Sequence, residues 1–284
     1  MLNALFLALA TVAISAQSVL KKTYNLRTEK RGAFVFSTLS VLAAALFFLC
    51  LSGFKLNLTA EIIPYALGFA LSYGTAVITG FLAIKLGALS LTSLITAYSL
   101  IIPTFYGLLF LHEEVSFLFY IGLGTLCVSL FLMNSKKSGA KITLPWVIVV
   151  FLAFLGNGAC STVQMVHQKN FSGQYKNEFM IISLFIVAIV MLGVTLFTER
   201  GEIVYSVKKG APHAVLCGVI NGVCNLLVMT LAVNMNASIM YPVISAGGIL
   251  LTGAVSIAFY KERLSKGQYV ALALGIISVV LMNI

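Results

Sequence analysis

Ten apolar stretches follow one another along this sequence, with only short connections between them. A membrane-spanning helix needs about 20 consecutive, mostly apolar residues. In order, runs 1 to 10 cover residues 2–20, 32–53, 62–84, 87–111, 117–134, 144–166, 178–198, 211–233, 237–259 and 266–284. The pattern predicts an all-α membrane protein with ten transmembrane helices and no inserted soluble domain.

Composition indicates the same environment. Hydrophobic residues make up 60% of the chain and charged residues only 9%, whereas a soluble domain carries about 25% charged residues. The chain contains no Asp, and its Glu residues lie at or near the ends of apolar runs. The net charge of +10 does not indicate nucleic-acid binding, because the basic residues lie in short connections where membrane orientation explains them. We expect a multi-pass protein of the cell membrane, with the lipid bilayer as a partner and no nucleic acid.

The second half of the sequence repeats the first. Residues 83–134 align without a gap on residues 232–283, with 13 identities in 52 pairs. Matched polar positions strengthen the alignment, since Glu113 falls on Glu262 and Ser116 on Ser265. Five runs fall in each half, which predicts two repeats, residues 1–135 and 136–284. An odd number of spans per repeat gives the halves opposite orientations, an arrangement typical of transporters with a site near the midplane.

The basic residues predict the orientation. If the N-terminus lies outside, the inner connections hold 15 basic residues and the outer connections hold only three, Lys55, Lys169 and Lys176. This asymmetry favours both termini outside. Run 1 is not expected to be a cleaved leader, because Lys21 and Lys22 follow it and no basic residue precedes it.

Prolines occupy related places in the two halves. Pro64 and Pro212 are each expected to open the third helix of their half, as fits proline in a first turn. Pro103 and Pro242 fall inside runs 4 and 9, where each removes a backbone hydrogen bond. We expect static kinks at these two positions rather than gating hinges.

Polar side chains inside the runs indicate a candidate binding site. An amide is costly to bury in hydrocarbon unless it finds a partner or water. Runs 1, 6 and 8 contain five such residues, Gln17, Asn157, Gln164, Asn221 and Asn225. Runs 3, 4 and 9 add Tyr73, Tyr98, Tyr241 and Ser245. We expect these faces to line one polar cavity that binds a small-molecule substrate.

Helix packing is the competing explanation for each of these residues. Polar side chains join membrane helices through hydrogen bonds of about 0.6–2 kcal/mol each. For the serines and threonines we favour this packing role, and for the five amides both interpretations stay open. The tyrosines would form either an aromatic wall for a quaternary ammonium group or part of the packed core.

The sequence carries no catalytic or metal-binding pattern. His112-Glu113-Glu114 lacks the second histidine of an HExxH motif. A Ser-His-Asp set is impossible without Asp, and the five cysteines lie in apolar runs with no CxxC spacing. The cysteines are expected to be small buried residues. We expect no enzyme activity, no cofactor and no metal.

Two segments, residues 91–134 and 241–283, resemble the closing helix pair of the EamA repeat. The pattern is a helix, a short turn with Glu, an aliphatic residue and Ser, and a final helix with a small residue midway, here Glu262, Leu264, Ser265 and Gly275. In the first half, His112 and Glu114 replace the usual small or basic neighbours of Glu113. The EamA repeat defines the ten-helix members of the drug/metabolite transporter superfamily.

The resemblance implies a secondary transporter whose central cavity is bounded by helices 1, 3, 4, 6, 8 and 9 and gated alternately from each side. It does not define a substrate, because the superfamily carries amino acids, drugs, sugars, nucleotide sugars and choline-like cations. It makes Glu113 and Glu262 recurring turn residues rather than substrate ligands. Physically, such a Glu can accept hydrogen bonds from the free N–H groups of the next helix.

The expected function is therefore transport of a small metabolite or drug-like solute by alternating access. No carboxylate lies within runs 1 and 6, which favours a neutral or zwitterionic substrate and transport without protons. His167 is the residue that could reverse this expectation, because histidine titrates near pH 6.5. A passive channel and a non-transporting membrane scaffold are the alternatives, and the protein would be a monomer or a homodimer.

Overall fold

The computed structural model describes residues 2–86, 92, 95–96, 98–134, 143–260 and 266–282. These residues form ten α-helices: α1 Leu2–Arg27, α2 Ala33–Leu51, α3 Ile63–Leu86, α4 Ile101–Phe110, α5 Phe117–Asn134, α6 Leu144–Asn170, α7 Lys176–Thr198, α8 Ile203–Asn234, α9 Ala237–Tyr260 and α10 Lys266–Met282. Short 3-10 turns precede α3, α4 and α8, at Ala60–Ile62, Tyr98–Leu100 and Arg200–Glu202. No strand occurs in the described ranges, so the all-α prediction is confirmed for them.

Within the described part of the chain, six segments are long and apolar enough to cross a membrane: Leu2–Arg27, Ala33–Leu51, Ala60–Leu86, Leu144–Asn170, Lys176–Thr198 and Arg200–Asn234. The remaining apolar helices are shorter, at Tyr98–Phe110, Phe117–Ser129, Ala237–Thr252 and Tyr269–Met282. Large apolar side chains such as Phe197 and Leu71 are exposed on the surface of the bundle, as suits contact with lipid. The chain is an integral membrane protein.

Small residues bring the helices of the two halves together. Helix α3 packs along α6, α1 along α8, and α5 along α10. At the first interface, a Cβ on Gly156 would come within 2.8 Å of the Ser72 carbonyl oxygen. At the contact of α8 with α2, Gly218 lies against the backbone of Ser40. Glycine thus allows the close backbone approach that holds membrane helices together.

Helix α8 begins earlier than its apolar run, and this corrects one prediction. It starts at Ile203 rather than at residue 211, so Pro212 lies inside the helix and does not open it. The apolar run was placed only after the charged pair Lys208 and Lys209. Lysine lowers hydropathy but does not break a helix. Packing supports the added turns, because Gly210 lies directly against the ring of Tyr24.

The other proline predictions have mixed outcomes. Pro64 is the second residue of α3 and opens that helix as predicted. Pro242 lies inside α9 as predicted. Pro103 is the third residue of α4, where a missing backbone N–H costs little because a helix's first N–H groups have no partner within the helix. Much of run 4 before Tyr98 lies outside the described residues, as does Glu262.

Cysteine burial also differs from the expectation at two positions. Cys160, Cys217 and Cys224 are buried, but Cys127 is only half-buried and Cys50 is exposed. A thiol is a weakly polar group that behaves as a small hydrophobe. The apolar surface of α2 can therefore present Cys50 toward lipid.

Candidate functional site

Four of the five predicted amides form one hydrogen-bonded chain across three helices. Gln164 Nε2 on α6 donates to Asn225 Oδ1 on α8 over 3.0 Å. Asn225 Nδ2 donates to Oδ1 and to the backbone oxygen of Asn221 over 3.0 and 2.9 Å. Asn221 Nδ2 donates to Gln17 Oε1 on α1 over 3.0 Å. We call these four residues the amide chain.

Local sequence explains how the amide chain forms. Asn221 and Asn225 are four residues apart, so they lie on one face of α8. Contacts of 3.9 Å from the thiols of Cys217 and Cys224 to backbone oxygens of α1 hold that face close to Gln17. Gln164 is buried, whereas the other three amides keep part of their surface accessible. Three of the four amides therefore remain partly accessible from outside the protein.

Asn157 is the fifth predicted amide and lies two turns before Gln164 on α6. It is half-buried, and among the described residues it has no hydrogen-bonding partner. A carboxamide offers two donors and an acceptor. Asn157 is thus the amide with the most capacity left for a ligand.

Two of the predicted tyrosines lie beside the same part of α6. The Tyr241 hydroxyl donates to the Ser161 backbone oxygen over 2.9 Å and joins α9 to α6. The Tyr73 ring on α3 stacks on Phe69, with 5.7 Å between ring centroids. Tyr73 also packs against the buried cluster that contains Cys160 of α6. Tyr241 thus contacts α6 at Ser161, and Tyr73 packs near the neighbouring residue Cys160.

Tyr98 and Ser245 come together in a different place. Both line a small pocket, together with Pro242 and Cys127, and the Tyr98 hydroxyl donates to the Cys127 backbone oxygen. The pocket has a volume of about 20 Å³, which is room for a single water molecule. Tyr98 and Ser245 thus lie beside this small pocket, whereas the four amides bond to one another on α1, α6 and α8.

Several hydroxyls of the spanning helices bond within their own helix. Thr11 donates to the Leu7 oxygen over 2.8 Å, and Thr79 donates to the Thr75 oxygen over 2.6 Å. Ser18 does the same to the carbonyl four residues before it. These bonds satisfy the hydroxyl protons locally, so the hydroxyls contribute less to a site than the amides do.

Lys21 is a candidate residue that the sequence analysis assigned to a connection. Helix α1 continues to Arg27, so Lys21 lies inside the helix, one turn after Gln17. It is exposed and lies near Cys217 on α8. Among the described residues no carboxylate pairs with it. The signal available in the sequence was its four-residue spacing from Gln17, which places both residues on the face toward α8.

A buried carboxylate joins three helices at one end of the bundle. Glu113 Oε1 accepts from Lys169 Nζ over 2.6 Å and from the Ala237 backbone over 3.0 Å. Glu113 Oε2 accepts from the backbone and hydroxyl of Ser238 over 2.9 and 2.8 Å. We call these four residues the Glu113 latch. It connects the end of α4, the end of α6 and the start of α9.

The Glu113 latch corrects the predicted partner of this residue. Glu113 does accept hydrogen bonds from free N–H groups at a helix start, but the helix is α9 and not α5, which follows Glu113 in sequence. Glu113 bonds to α9 because the tertiary fold places the end of α4 beside the start of α9. Burial raises the pKa of Glu113, but the hydrogen bonds from Lys169, Ser238 and Ala237 outweigh burial, so the pKa lies below its usual value.

Further contacts close the same end. Asn170 Nδ2 on α6 donates to the Tyr65 hydroxyl on α3 over 2.8 Å. His167, one turn earlier, is fully buried, and its ring stacks on Phe179 with 4.2 Å between centroids. His167 Nδ1 lies 2.8 Å from Gln168 Nε2. His167 is therefore part of a packed aromatic cluster and does not line open space.

Comparison with known families decides the identity of the second half. Residues 144–284 match the model of the EamA-like transporter family. The C-terminal half of this protein belongs to that family. The resemblance to the EamA repeat is thereby confirmed, and it is consistent with a membrane transporter of the drug/metabolite transporter superfamily, so we refer to the chain as the EamA-like protein.

Solved structures share the overall fold of this chain. Among them, 28 chains match, and one, described as "Crystal structure of protein", aligns over 98% of this chain and 95% of its own length with a TM-score of 0.75. Its sequence identity is 12%, so the likeness concerns the fold alone. Among curated protein sequences, none matches this chain significantly.

Proposed function

We propose that the EamA-like protein is a secondary transporter of a small polar metabolite or drug-like solute and works by alternating access. The amide chain carries this proposal. It brings four predicted amides from α1, α6 and α8 into contact, and Asn157 remains available nearby. Polar groups inside membrane spans are costly, and they mark substrate pathways when they border accessible space.

The proposed architecture is a pair of inverted repeats, residues 1–135 and 136–284, spanning the cell membrane ten times. Contacts between α5 and α10 support it. Ser129 Oγ donates to the Ala271 oxygen over 2.6 Å, and a Cβ on Gly122 would lie 3.0 Å from the Ser278 oxygen. The repeat offset of 149 turns the first pair into the second, because Ser129 falls on Ser278 and Gly122 on Ala271. Such self-complementary contacts arise around a two-fold axis.

The Glu113 latch supports alternating access. It ties together α4, α6 and α9, all of which border the cavity that the family resemblance implies. With both termini outside, as the basic residues favour, the latch lies on the outer side. We infer that this conformation is closed there and that the latch must separate when the substrate site faces outward.

The proposed substrate is neutral or zwitterionic. Amides bind neutral donors and acceptors well, and among the described residues no carboxylate bonds to the amide chain. Lys21 favours a zwitterion, because a lysine one turn from Gln17, with no carboxylate partner among the described residues, would suit an acidic group of the substrate. Tyr73 and Tyr241 would supply aromatic faces to its cationic end, while Tyr98 and Ser245 would act more remotely.

Transport by purified protein in proteoliposomes tests the proposal. A thermal-shift screen first selects solutes that bind, because a ligand raises apparent stability by mass action. Saturable flux with counterflow is the expected result. Flux that does not saturate would indicate a passive channel, and a complete absence of flux for solutes that bind would indicate a scaffold.

The role of Lys21 has a separate test in the same assay. We expect Lys21→Gln to weaken the affinity for a zwitterionic solute at least tenfold, since hydrogen bonds to charged groups contribute about 1.5–3 kcal/mol, and Lys21→Arg to restore much of it. Lys55→Gln is the control, because Lys55 is an exposed lysine in the connection after α2. Equal affinities for the wild type and Lys21→Gln would remove Lys21 from the site.

A further inference from the structure

A long apolar groove runs along the outside of the bundle between α1, α9 and α10. Its volume is about 530 Å³. Its walls include Ala8 and Thr11 on α1, Gly247 and Ala254 on α9, and Leu272 and Ile276 on α10. Of the lining residues that the structure describes, only Thr11 has a polar side chain, and its hydroxyl already donates to the Leu7 oxygen over 2.8 Å. The groove therefore suits an occupant without polar groups.

The groove is open toward lipid and closed toward the protein interior. Val12 and Ile276 on its sides are 52% and 57% exposed. At its floor, α1 and α9 are in close contact, because a Cβ on Gly247 would come within 2.7 Å of Thr11 Cγ2. No amide of the amide chain lines it. The groove is thus separate from the proposed transport site and faces the acyl chains of the bilayer.

Positive charges stand at one end of this groove. Lys22 lies on α1 eleven residues after Thr11, and exposed Lys266 opens α10 ten residues before Ile276. At a rise of 1.5 Å per residue, these separations are about 16 and 15 Å. Half of a hydrocarbon core about 30 Å thick is about 15 Å. Both lysines therefore reach one membrane surface when the groove lies near the midplane.

Tyr269 supports this placement of the charged end. It lies one turn after Lys266 on α10 and is exposed. Tyrosine is enriched at the level of the lipid head groups, where its ring and hydroxyl meet different environments. The side of α10 from Ile276 to Lys266 thus changes from apolar to interfacial to basic, in the order found along a phospholipid.

We propose that the groove binds an anionic phospholipid of the leaflet on the basic side, with one acyl chain between α1, α9 and α10 and the phosphate at Lys22 and Lys266. The distance from the groove to the lysines matches half the thickness of the hydrocarbon core, and the lysines place positive charge at that end. Both features favour an anionic phospholipid. A second copy related by a two-fold axis along the membrane normal would place the same basic ends side by side, and their repulsion disfavours that arrangement.

Native mass spectrometry of the purified full-length protein tests the site. The protein is incubated with equal amounts of phosphatidylglycerol and phosphatidylcholine that have identical acyl chains. We expect retention of phosphatidylglycerol over phosphatidylcholine. Ala254→Phe should lower retention of both lipids, because it fills the groove, while Leu71→Phe on the exposed side of α3 should change neither.

The head-group contact is tested by charge removal. Lys22→Gln with Lys266→Gln should reduce the preference for phosphatidylglycerol by about 30-fold, since each lysine near an anionic surface contributes about 1 kcal/mol. Lys266→Gln alone should reduce it about fivefold, which keeps the test decisive if the double variant folds poorly. Unchanged lipid retention by Ala254→Phe would overturn the proposal. If Ala254→Phe removed dimers but still retained lipid, that result would also overturn the proposal. It would then assign the groove to a second copy of the protein.

Discussion

Asn225 stands at the centre of the amide chain and holds hydrogen bonds to Gln164 on one side and Asn221 on the other. Replacing it with Ala leaves a buried Gln164 amide without its acceptor and leaves Asn221 Oδ1 without its donor. Unsatisfied polar groups cost about 1–3 kcal/mol each. We expect Asn225→Ala to lower transport in proteoliposomes at least tenfold, while the amount of folded protein falls less.

Asn234→Ala is a matched control for this prediction. Asn234 lies on the same helix, is exposed, and donates only to the carbonyl oxygen of Thr230 over 3.0 Å. It should leave both transport and folded yield close to those of the wild type. Normal transport by Asn225→Ala, Asn221→Ala and Asn157→Ala alike would show that the amides only join helices.

At this scale the sequence identified the kind of residue but not its partners. The amides of α1, α6 and α8 were selectable because their side chains are costly in hydrocarbon. Which amide bonds to which depends on the relative orientation of three packed helices. The sequence of one helix does not determine that orientation. Lys21 was missed because the apolar run was ended at residue 20, before the charged residues. Helix α1 in fact continues to Arg27 and packs on α8.

Helix α9 begins on a carboxylate that comes from a different half of the chain. Glu113 accepts hydrogen bonds from the N–H groups of Ala237 and Ser238, where the helix dipole also favours a negative charge. Glu113→Gln keeps the shape but removes the charge that pairs with Lys169. We expect it to lower the free energy of unfolding by about 2 kcal/mol at neutral pH.

The pH dependence of that difference distinguishes the latch from simple packing. The pKa of Glu113 is lowered in the folded protein, so its stabilising contribution is complete above the unfolded pKa of about 4.3. It is lost as the pH falls through the lower, folded pKa. Melting curves of wild type and Glu113→Gln should therefore converge only in acid, while Glu114→Gln matches the wild type throughout. A difference that does not change with pH would contradict the charge pairing.

Element boundaries show where local sequence signals end. Hydropathy located each of the ten helices that the structure describes, but it placed the start of α8 at residue 211, eight residues too late. The contact of Gly210 with Tyr24 is made between distant parts of the chain, so a reading of one helix cannot detect it. The partner of Glu113 has the same origin, because sequence order places α5 next while space places α9 there.

For the whole molecule, the proposed inversion predicts opposite accessibility at equivalent positions of the repeats. Ser116 and Lys266 lie at corresponding ends of α5 and α10. A membrane-impermeant maleimide added to intact cells should label Ser116→Cys and not Lys266→Cys, in a background with Cys50→Ser to remove the exposed native thiol. Labelling of both positions from the same side would refute the inversion.

Energy coupling is the remaining property of the whole transporter, and we expect it not to involve protons. A proton-coupled carrier needs a titrating group that meets water from both sides in turn. Among the described residues, Glu113 is held by the latch, and Glu178 accepts from the Asn57 backbone over 3.1 Å at the start of α7. His167 is fully buried against Phe179, so proton exchange with the substrate site would require the aromatic cluster to open.

Flux measured with and without an imposed pH gradient tests this expectation. The solute should equilibrate at the same level in both conditions, as in facilitated diffusion or exchange, and His167→Asn should leave that level unchanged. The control is a gradient of the solute itself, which should drive counterflow in the same vesicles. Accumulation that depends on the pH gradient and disappears with an uncoupler would overturn the prediction. In that case loss of accumulation in His167→Asn or Glu178→Gln would identify the group that carries the proton.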